Sequence, residues 1–220
     1  YEGTDLSPEA IIFDMDGVLS DTQKLHAEAQ SKILEEYGVK MSPEEITRKY
    51  AGKPPGTLFR EESPASDPMQ AHAKKQDVLY ELVERDGVEA IDDSRRLVRE
   101  LEGKYELAVA SSSQPDFIQE VVDTLGISED FEVIKSASEV PDGKPSPDVF
   151  LETADEIGVK PENCLVIEDG RSGMKGATEA GMVCIGLVKD SVEYPAHETV
   201  NSLSELDKQT VERIHIENSS

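Results

Sequence analysis

A chain of 220 residues, 37% of them hydrophobic, is long enough for one large domain or for a core domain carrying a smaller insert. Its 47 acidic residues against 22 basic ones, a net charge of −25, exclude the basic footprint that nucleic acid requires and disfavour an anionic membrane surface. The acids are spread along the chain, as on a highly solvated surface, and no apolar stretch approaches the ~18 residues of a membrane span. Cys164 and Cys184 each sit in an apolar β-type run and read as reduced core cysteines of a cytoplasmic protein.

The first element is an apolar strand, Ile11-Ile12-Phe13, that ends abruptly in Asp14-Met15-Asp16-Gly17. Acids two apart share a face of an extended backbone, and a glycine lets the chain turn sharply beyond them. Two like charges that close need a cation or a shared proton, and a hard, oxygen-seeking divalent ion such as magnesium suits them. Residues 23–38 carry apolar side chains at helical spacing, with Gly38 as a C-terminal cap. Ser42-Pro43-Glu44-Glu45 reads as a second helix start, and a polar break over 61–68 precedes a longer helix over 69–85.

Strand character returns over 105–110, which ends in Ser111-Ser112-Ser113-Gln114 before an amphipathic helix over 116–125 and a weaker strand over 131–135. A helix over 147–157, a strand over 164–167, a helix over 172–180 and a strand over 183–188 follow. This alternation predicts an α/β fold with a parallel sheet wrapped in helices. One βαβ unit takes ~30 residues, yet the first two strands lie about three times that apart, with helices between them. A helical insert over 22–92 is therefore expected between two parts of one sheet domain, 1–21 and 93–220.

The later strands also end in groups that phosphate chemistry uses. Ser111 follows Ala108-Val109-Ala110, Lys144 lies in Asp142-Gly143-Lys144-Pro145, and Glu168-Asp169 follow Val166-Ile167. In a doubly wound sheet these ends converge, so a hydroxyl, an ammonium and four carboxylates would meet in one crevice. Singly each has a plainer reading: Ser111 as a turn residue, Lys144 as a loop residue, Glu168-Asp169 as a helix cap.

In this order and on these elements, the motifs resemble the haloacid dehalogenase superfamily, in the β-phosphoglucomutase and phosphoglycolate phosphatase branch with a helical cap after the first motif. The resemblance covers nearly the whole chain. It implies a Rossmann-like doubly wound parallel sheet with a small inserted α-helical cap, and a magnesium-dependent phosphatase acting on a small phosphorylated metabolite. It further implies Asp14 as the nucleophile that forms an aspartyl-phosphate and Asp16 as general acid and then base. Magnesium would be held by Asp14, the Asp16 backbone carbonyl, Glu168 and Asp169, while Ser111, Ser112 and Lys144 would bind phosphate.

Thr22 and His26, where the core crosses into the cap, are candidate substrate-side residues, with His26 alternatively facing the helix core or orienting Asp16. Gly52 and Lys53 lie in the cap loop Ala51-Gly52-Lys53-Pro54-Pro55 that reads substrate in this branch. The arginine of the β-phosphoglucomutase pattern just after that glycine is absent, with Pro55 near its place. Lys53 can supply positive charge there, whereas Lys75 is expected on a solvated face. Asp16 speaks against dehalogenation, because family dehalogenases lack an acid at that position. A sugar phosphomutase uses the same residues and is the alternative. A phospho-signalling receiver shares the Asp, Ser/Thr, Lys and magnesium but is far shorter, and the complete motif set disfavours a catalytically dead binding homologue.

Overall fold

Ala10–Phe13 (β1) is buried along its whole length because strands flank it on both edges and helices cover both faces. The computed structural model describes residues 6–51, 53–54, 56–64 and 67–219. The other strands are β2 (Glu106–Ser111), β3 (Val133–Ser136), β4 (Cys164–Glu168), β5 (Val183–Leu187) and β6 (Glu198–Val200). They form one parallel sheet in the order β3-β2-β1-β4-β5-β6. In this doubly wound α/β arrangement the order reverses between β1 and β4, which opens a crevice at their carboxyl ends.

Between β1 and β2 stand α1 (Gln23–Glu36), α2 (Pro43–Tyr50), α3 (Thr57–Glu62), α4 (Pro68–Asp86) and α5 (Ser94–Leu101). Then α6 (Pro115–Thr124) follows β2, α7 (Asp148–Ile157) follows β3, α8 (Arg171–Glu179) follows β4 and α9 (Lys208–Asn218) follows β6.

Alternation along the strands sorts the core into two layers. Ile11, Phe13, Leu107, Val109, Leu165 and Ile167 face one layer, which α5, α6 and α9 close with Leu97, Phe117 and Ile214. Ala10, Ile12, Ala108, Ala110 and Val166 face the other, closed by Phe150 of α7 and Met174 of α8. Both cysteines are free and buried in this second layer.

The helices that precede α5 make a third apolar cluster of their own, with Ile33 and Leu34 from α1, Ile46 and Tyr50 from α2, and Leu58 and Phe59 from α3. Leu25 and Ala29 of α1 and Leu79 and Leu82 of α4 join the first sheet layer instead, so this helical group rests on the sheet. Helix α2 begins in a capping box: Ser42 Oγ accepts from the Glu45 N–H at 3.2 Å, and Glu45 Oε2 accepts from the Ser42 N–H at 2.9 Å.

The strands and helices expected from the sequence are present, their ends shifted by a residue or two. Helices α3, α5 and α9 and strand β6 were not anticipated. Strand β6 is three residues long with only Val200 buried, so it carries no apolar run, and α9 buries only Val211, Ile214 and His215. Among the described residues no helix is long and apolar enough to cross a membrane.

Candidate active site

The hydrogen-bond ladder of β1 continues one residue past the strand, where the Asp14 N–H donates to Ile167 O of β4 at 3.0 Å. The chain then turns through Gly17 at φ +84°, a conformation that glycine adopts without strain, and a Cβ there would overlap the Asp169 carboxyl. Asp14, Glu168 and Asp169 each place a carboxylate oxygen within 4.8 Å of the others. Lys144, on the connection from β3 to α7, is buried against them. Its ammonium donates to Asp14 Oδ1 (3.1 Å), Glu168 Oε1 (2.6 Å) and Ala110 O (3.0 Å), using all three of its protons. Glu168 Oε2 accepts from the Gly170 N–H at 3.0 Å.

One ammonium does not balance this cluster. Burial, reinforced by Asp169 and Asp16, pushes the Asp14 carboxyl up to about 8 against the pull of Lys144. Burial and neighbouring carboxylates push Glu168 and Asp169 up to about 7. Burial also works against the Lys144 charge, but Asp14 and Glu168 outweigh it and hold the lysine protonated. Converging carboxylate oxygens with surplus negative charge fit a hard divalent cation, which would replace the protons that these groups otherwise retain.

The Asp16 carboxylate is turned away from that cluster. Its Oδ1 accepts from the Thr22 hydroxyl and, at 2.8 Å, from His26 Nε2, and its Oδ2 accepts from the Ser113 hydroxyl at 2.7 Å. Burial alone would raise this carboxyl, but His26, Thr22 and Ser113 together hold it well below the usual carboxylate range. Lys75 Nζ lies 2.7 Å from His26 Nδ1. An ammonium can only donate, so Nδ1 accepts and the ring proton sits on Nε2, facing Asp16. Burial and Lys75 hold His26 below its ordinary value, and burial brings Lys75 down to about 8.

Of the residues expected at the site, Asp14, Asp16, His26, Ser112, Lys144, Glu168 and Asp169 line one cleft of about 1010 Å³, with Lys53 at its rim. Lys53 is exposed, 3.8 Å from Glu61 Oε2 and over the Tyr50 ring at 4.6 Å. Gly52 lies outside the described residues. Thr22, expected on the substrate side, is fully buried, its hydroxyl spent on Asp16 and on Ser20 at 2.8 Å. Ser111 lies beneath the cleft surface at the end of β2, its Oγ accepting from the Ser113 N–H at 3.1 Å.

Lys75 is not solvated: it is 4% exposed and bonded to His26. The signal for this was its place between Ala71 and Leu79 on the buried stripe of α4. Ser113 was missed as well, because its partner lies 97 residues away. Gln23, 3.4 Å from Asp169 Oδ2 and 3.5 Å from the Asp16 carbonyl, had no sequence signal beyond opening α1.

The sequence pattern of the haloacid dehalogenase-like hydrolases matches residues 11–187, from β1 through β5. The chain belongs to this family. A phosphorylated carbohydrates phosphatase from Thermotoga maritima is 33% identical over 186 residues, covering 79% of this chain and 82% of its own. The β-phosphoglucomutase of Bacillus subtilis is 28% identical over 228 residues, covering 95% of each chain. Among solved structures, a mutant of CbbY from Rhodobacter sphaeroides in complex with xylulose-1,5-bisphosphate superposes with a TM-score of 0.78 at 25% identity, over 90% of this chain and 96% of that one. The chain is thus an enzyme of a hydrolase family whose named relatives include phosphatases and a phosphomutase.

This haloacid dehalogenase-like site leaves no room for a side chain at Gly173, inside α8, where a Cβ would overlap the Glu168 carboxyl. Lys144 and the Gly170 N–H hold that carboxyl at both oxygens, so it cannot swing aside freely. Gly→Ala in a helix interior ordinarily stabilises by about 1 kcal/mol. Gly173→Ala should instead destabilise by about 1–3 kcal/mol, the cost of unpairing a buried charged group. Thermal unfolding followed by circular dichroism checks this, and a raised midpoint would show that Glu168 yields without loss.

Proposed function

We propose that this enzyme is a magnesium-dependent phosphatase that hydrolyses a small phosphorylated metabolite, of the sugar phosphate or phosphoglycolate type, through an aspartyl-phosphate on Asp14. The observation that carries this reading is the buried Lys144 ammonium, 3.1 Å from Asp14 Oδ1, at the floor of an open cleft. A carboxylate can approach an anionic phosphate only where positive charge offsets the repulsion. Asp14, Glu168, Asp169 and the Asp16 carbonyl are the groups to hold magnesium, which when bound would neutralise charge on the phosphoryl oxygens. Lys144 and Ser112, which line the cleft, are the phosphate contacts, while the Ser111 hydroxyl lies beneath them and supports the Ser113 N–H. Residues 22–92 are read as a cap over the cleft, with Gly52 and Lys53 on its substrate side.

An Asp14 oxygen attacks phosphorus in line while the bond from phosphorus to the leaving oxygen breaks, and Asp16 gives that oxygen its proton. Asp16 then takes a proton from water as the water oxygen attacks phosphorus and the bond to Asp14 breaks, releasing phosphate. Thr22, His26 and Ser113 favour the ionised Asp16 that the second step uses. The protonated Asp16 of the first step requires that it leave these donors when substrate enters.

The β-phosphoglucomutase match over 95% of both chains supports a second reading, a sugar phosphomutase. There the phosphoenzyme would rephosphorylate an exchanged product instead of meeting water.

Release of inorganic phosphate from a panel of small esters separates the two readings. Turnover that requires magnesium and is lost in Asp14→Asn is the expected result; metal-independent turnover or full activity of that variant would overturn the reading. Asp16→Asn should lower turnover by about 10²–10⁴-fold through loss of acid–base catalysis. An aryl phosphate, whose leaving group needs no proton, should be comparatively spared in the first step, and the aspartyl-phosphate should accumulate. Rapid-quench trapping reads it out, and equal slowing of aryl and alkyl esters without accumulation would reassign Asp16.

The crowded carboxyls also set a pH dependence. Folded Asp14, at about 8, and Glu168 and Asp169, at about 7, keep protons that the unfolded chain releases. The metal-free protein should therefore lose stability as pH rises from about 4 toward about 8, because the folded state binds the extra protons in that window. Asp16 acts in the opposite sense, its contribution being lost in acid. Magnesium must displace the retained protons, so its affinity should rise with pH through the same window. Calorimetric titration in buffers of different ionisation enthalpy should show proton release at about pH 6 and little above about pH 9, where Asp14 has also lost its proton. Binding without proton release would place the cation elsewhere.

A further inference from the structure

The cations that line the cleft divide into those already engaged and those that are not. Lys144 is held by Asp14 and Glu168, Lys75 by His26, and Lys53 lies 3.8 Å from Glu61. Arg171 and Lys189 line the same cleft, and among the described residues neither has an ion pair. Unpaired cations occur elsewhere on this surface too, so what distinguishes these two is that they line the cleft.

Their placement is specific. Arg171 opens α8 two residues beyond Asp169, and Lys189 stands two residues beyond the end of β5, the strand beside β4. Both therefore belong to the wall opposite the one where His26 and Lys75 hold Asp16. The Arg171 guanidinium lies 4.3 Å over the Tyr194 ring, and the Tyr194 hydroxyl donates to Asp190 Oδ1 at 2.9 Å, which fixes the ring on which the arginine rests. That contact uses the face of the guanidinium and leaves its in-plane N–H donors, the fork that matches a carboxylate or a phosphate, without a protein acceptor among the described residues. Arg171 also borders an adjoining cavity of about 550 Å³ between Pro54 of the cap loop, Pro145 and Tyr194, so room for a substituent continues past the reacting phosphate. Glu193 is on the rim of that cavity and Asp190 on the wall, so the selectivity falls on a group that can reach the Arg171 fork itself.

We propose that Arg171, assisted by Lys189, is a specificity-determining anion subsite that reads a second acidic group of the substrate, a phosphate or a carboxylate, at the β4–β5 side of the cleft. The inference rests on the phosphatase reading and narrows it from phosphate monoesters in general to those that carry a further anionic group.

Two matched pairs test it at fixed ionic strength: fructose 1,6-bisphosphate against fructose 1-phosphate, and 2-phosphoglycolate against 2-hydroxyethyl phosphate. The wild-type enzyme should favour the doubly acidic member of at least one pair by about 10–100-fold in kcat/KM, mainly through KM, as loss of a charge-assisted fork predicts. Arg171→Gln should bring that ratio close to one, Lys189→Gln should lower it less, and Arg171→Lys should restore only part of it because the fork is missing. The pair that carries the loss says whether the second group is phosphate or carboxylate. Arg171 is exposed, so unchanged thermal unfolding of the variants is the accompanying control. A ratio near one for both wild-type pairs, or a preference that survives Arg171→Gln, overturns the subsite while monoester turnover leaves the phosphatase reading standing. No turnover of any ester removes both.

Discussion

The buried Lys144 ammonium is what allows the carboxyls of Asp14, Glu168 and Asp169 to crowd one end of the sheet. β1 and β4 are neighbours, with Phe13 opposite Ile167, so Asp14 and Glu168 leave adjacent strands at adjacent positions. Neighbouring strands stand about 5 Å apart, too close for two unscreened charges in a buried setting. Lys144 bridges them, and its third proton goes to the end of β2, which ties the loop after β3 to the two central strands. The remaining excess of negative charge appears as raised carboxyls, and it is what a divalent cation would relieve. Gly17 and Gly173 follow from the same crowding, since a side chain at either would occupy the space of Asp169 or Glu168.

In the proposed reaction Asp16 would serve the other half of the chemistry, and it is held by different parts of the fold. Its donors come from the entry to α1 (Thr22), from α1 itself (His26) and from the end of β2 (Ser113), with Lys75 of α4 behind His26. Two acids separated by one residue thus face opposite demands: Asp14 is pushed toward its neutral form and Asp16 toward its charged form. Groups whose environments drive them apart in this way are suited to different roles in one reaction. Helices α1 and α4 also carry part of an apolar cluster separate from the sheet, so one carboxylate couples that helical group to the strands.

Much of this was legible in the chain itself. β1, β2, β4 and β5 are buried on both faces, so they read as continuous apolar runs, and acids that end such runs stand out. β3 was placed two residues early because Val133 and Ile134 are only half-buried. Helix α5 spans eight residues with Leu97, Val98 and Leu101 inward among four charged positions, a stripe too short to stand out as a helix in the sequence. Asp14, Asp16, Lys144, Glu168 and Asp169 were visible because their residue types are costly to bury without purpose. The groups that position them were misplaced or missed: Thr22 was expected on the substrate side, Lys75 in solvent, and Ser113 was not singled out, because each acts through Asp16 or His26 and no local pattern records that. Lys75 had the spacing of a core residue, and its charge argued against what its position said.

The net charge of −25 poses a further constraint, since a phosphate ester must approach a strongly negative molecule. Screening reduces this to a local question: with a Debye length of about 10 Å near 0.1 M salt, the far surface contributes little once the substrate reaches the cleft. Over that last distance the balance is set by cations against the acids around them. Lys144 is buried and already shared with Asp14, so in the proposed reaction it would favour a bound phosphate more than draw one in. Arg171 and Lys189 line the cleft and, among the described residues, have no ion pair, so their field acts on what enters there. If the proposed subsite holds, the two charges would give an electrostatic path into the cleft on the β4–β5 side and bring an anion to Asp14 from the side opposite the helices that hold Asp16.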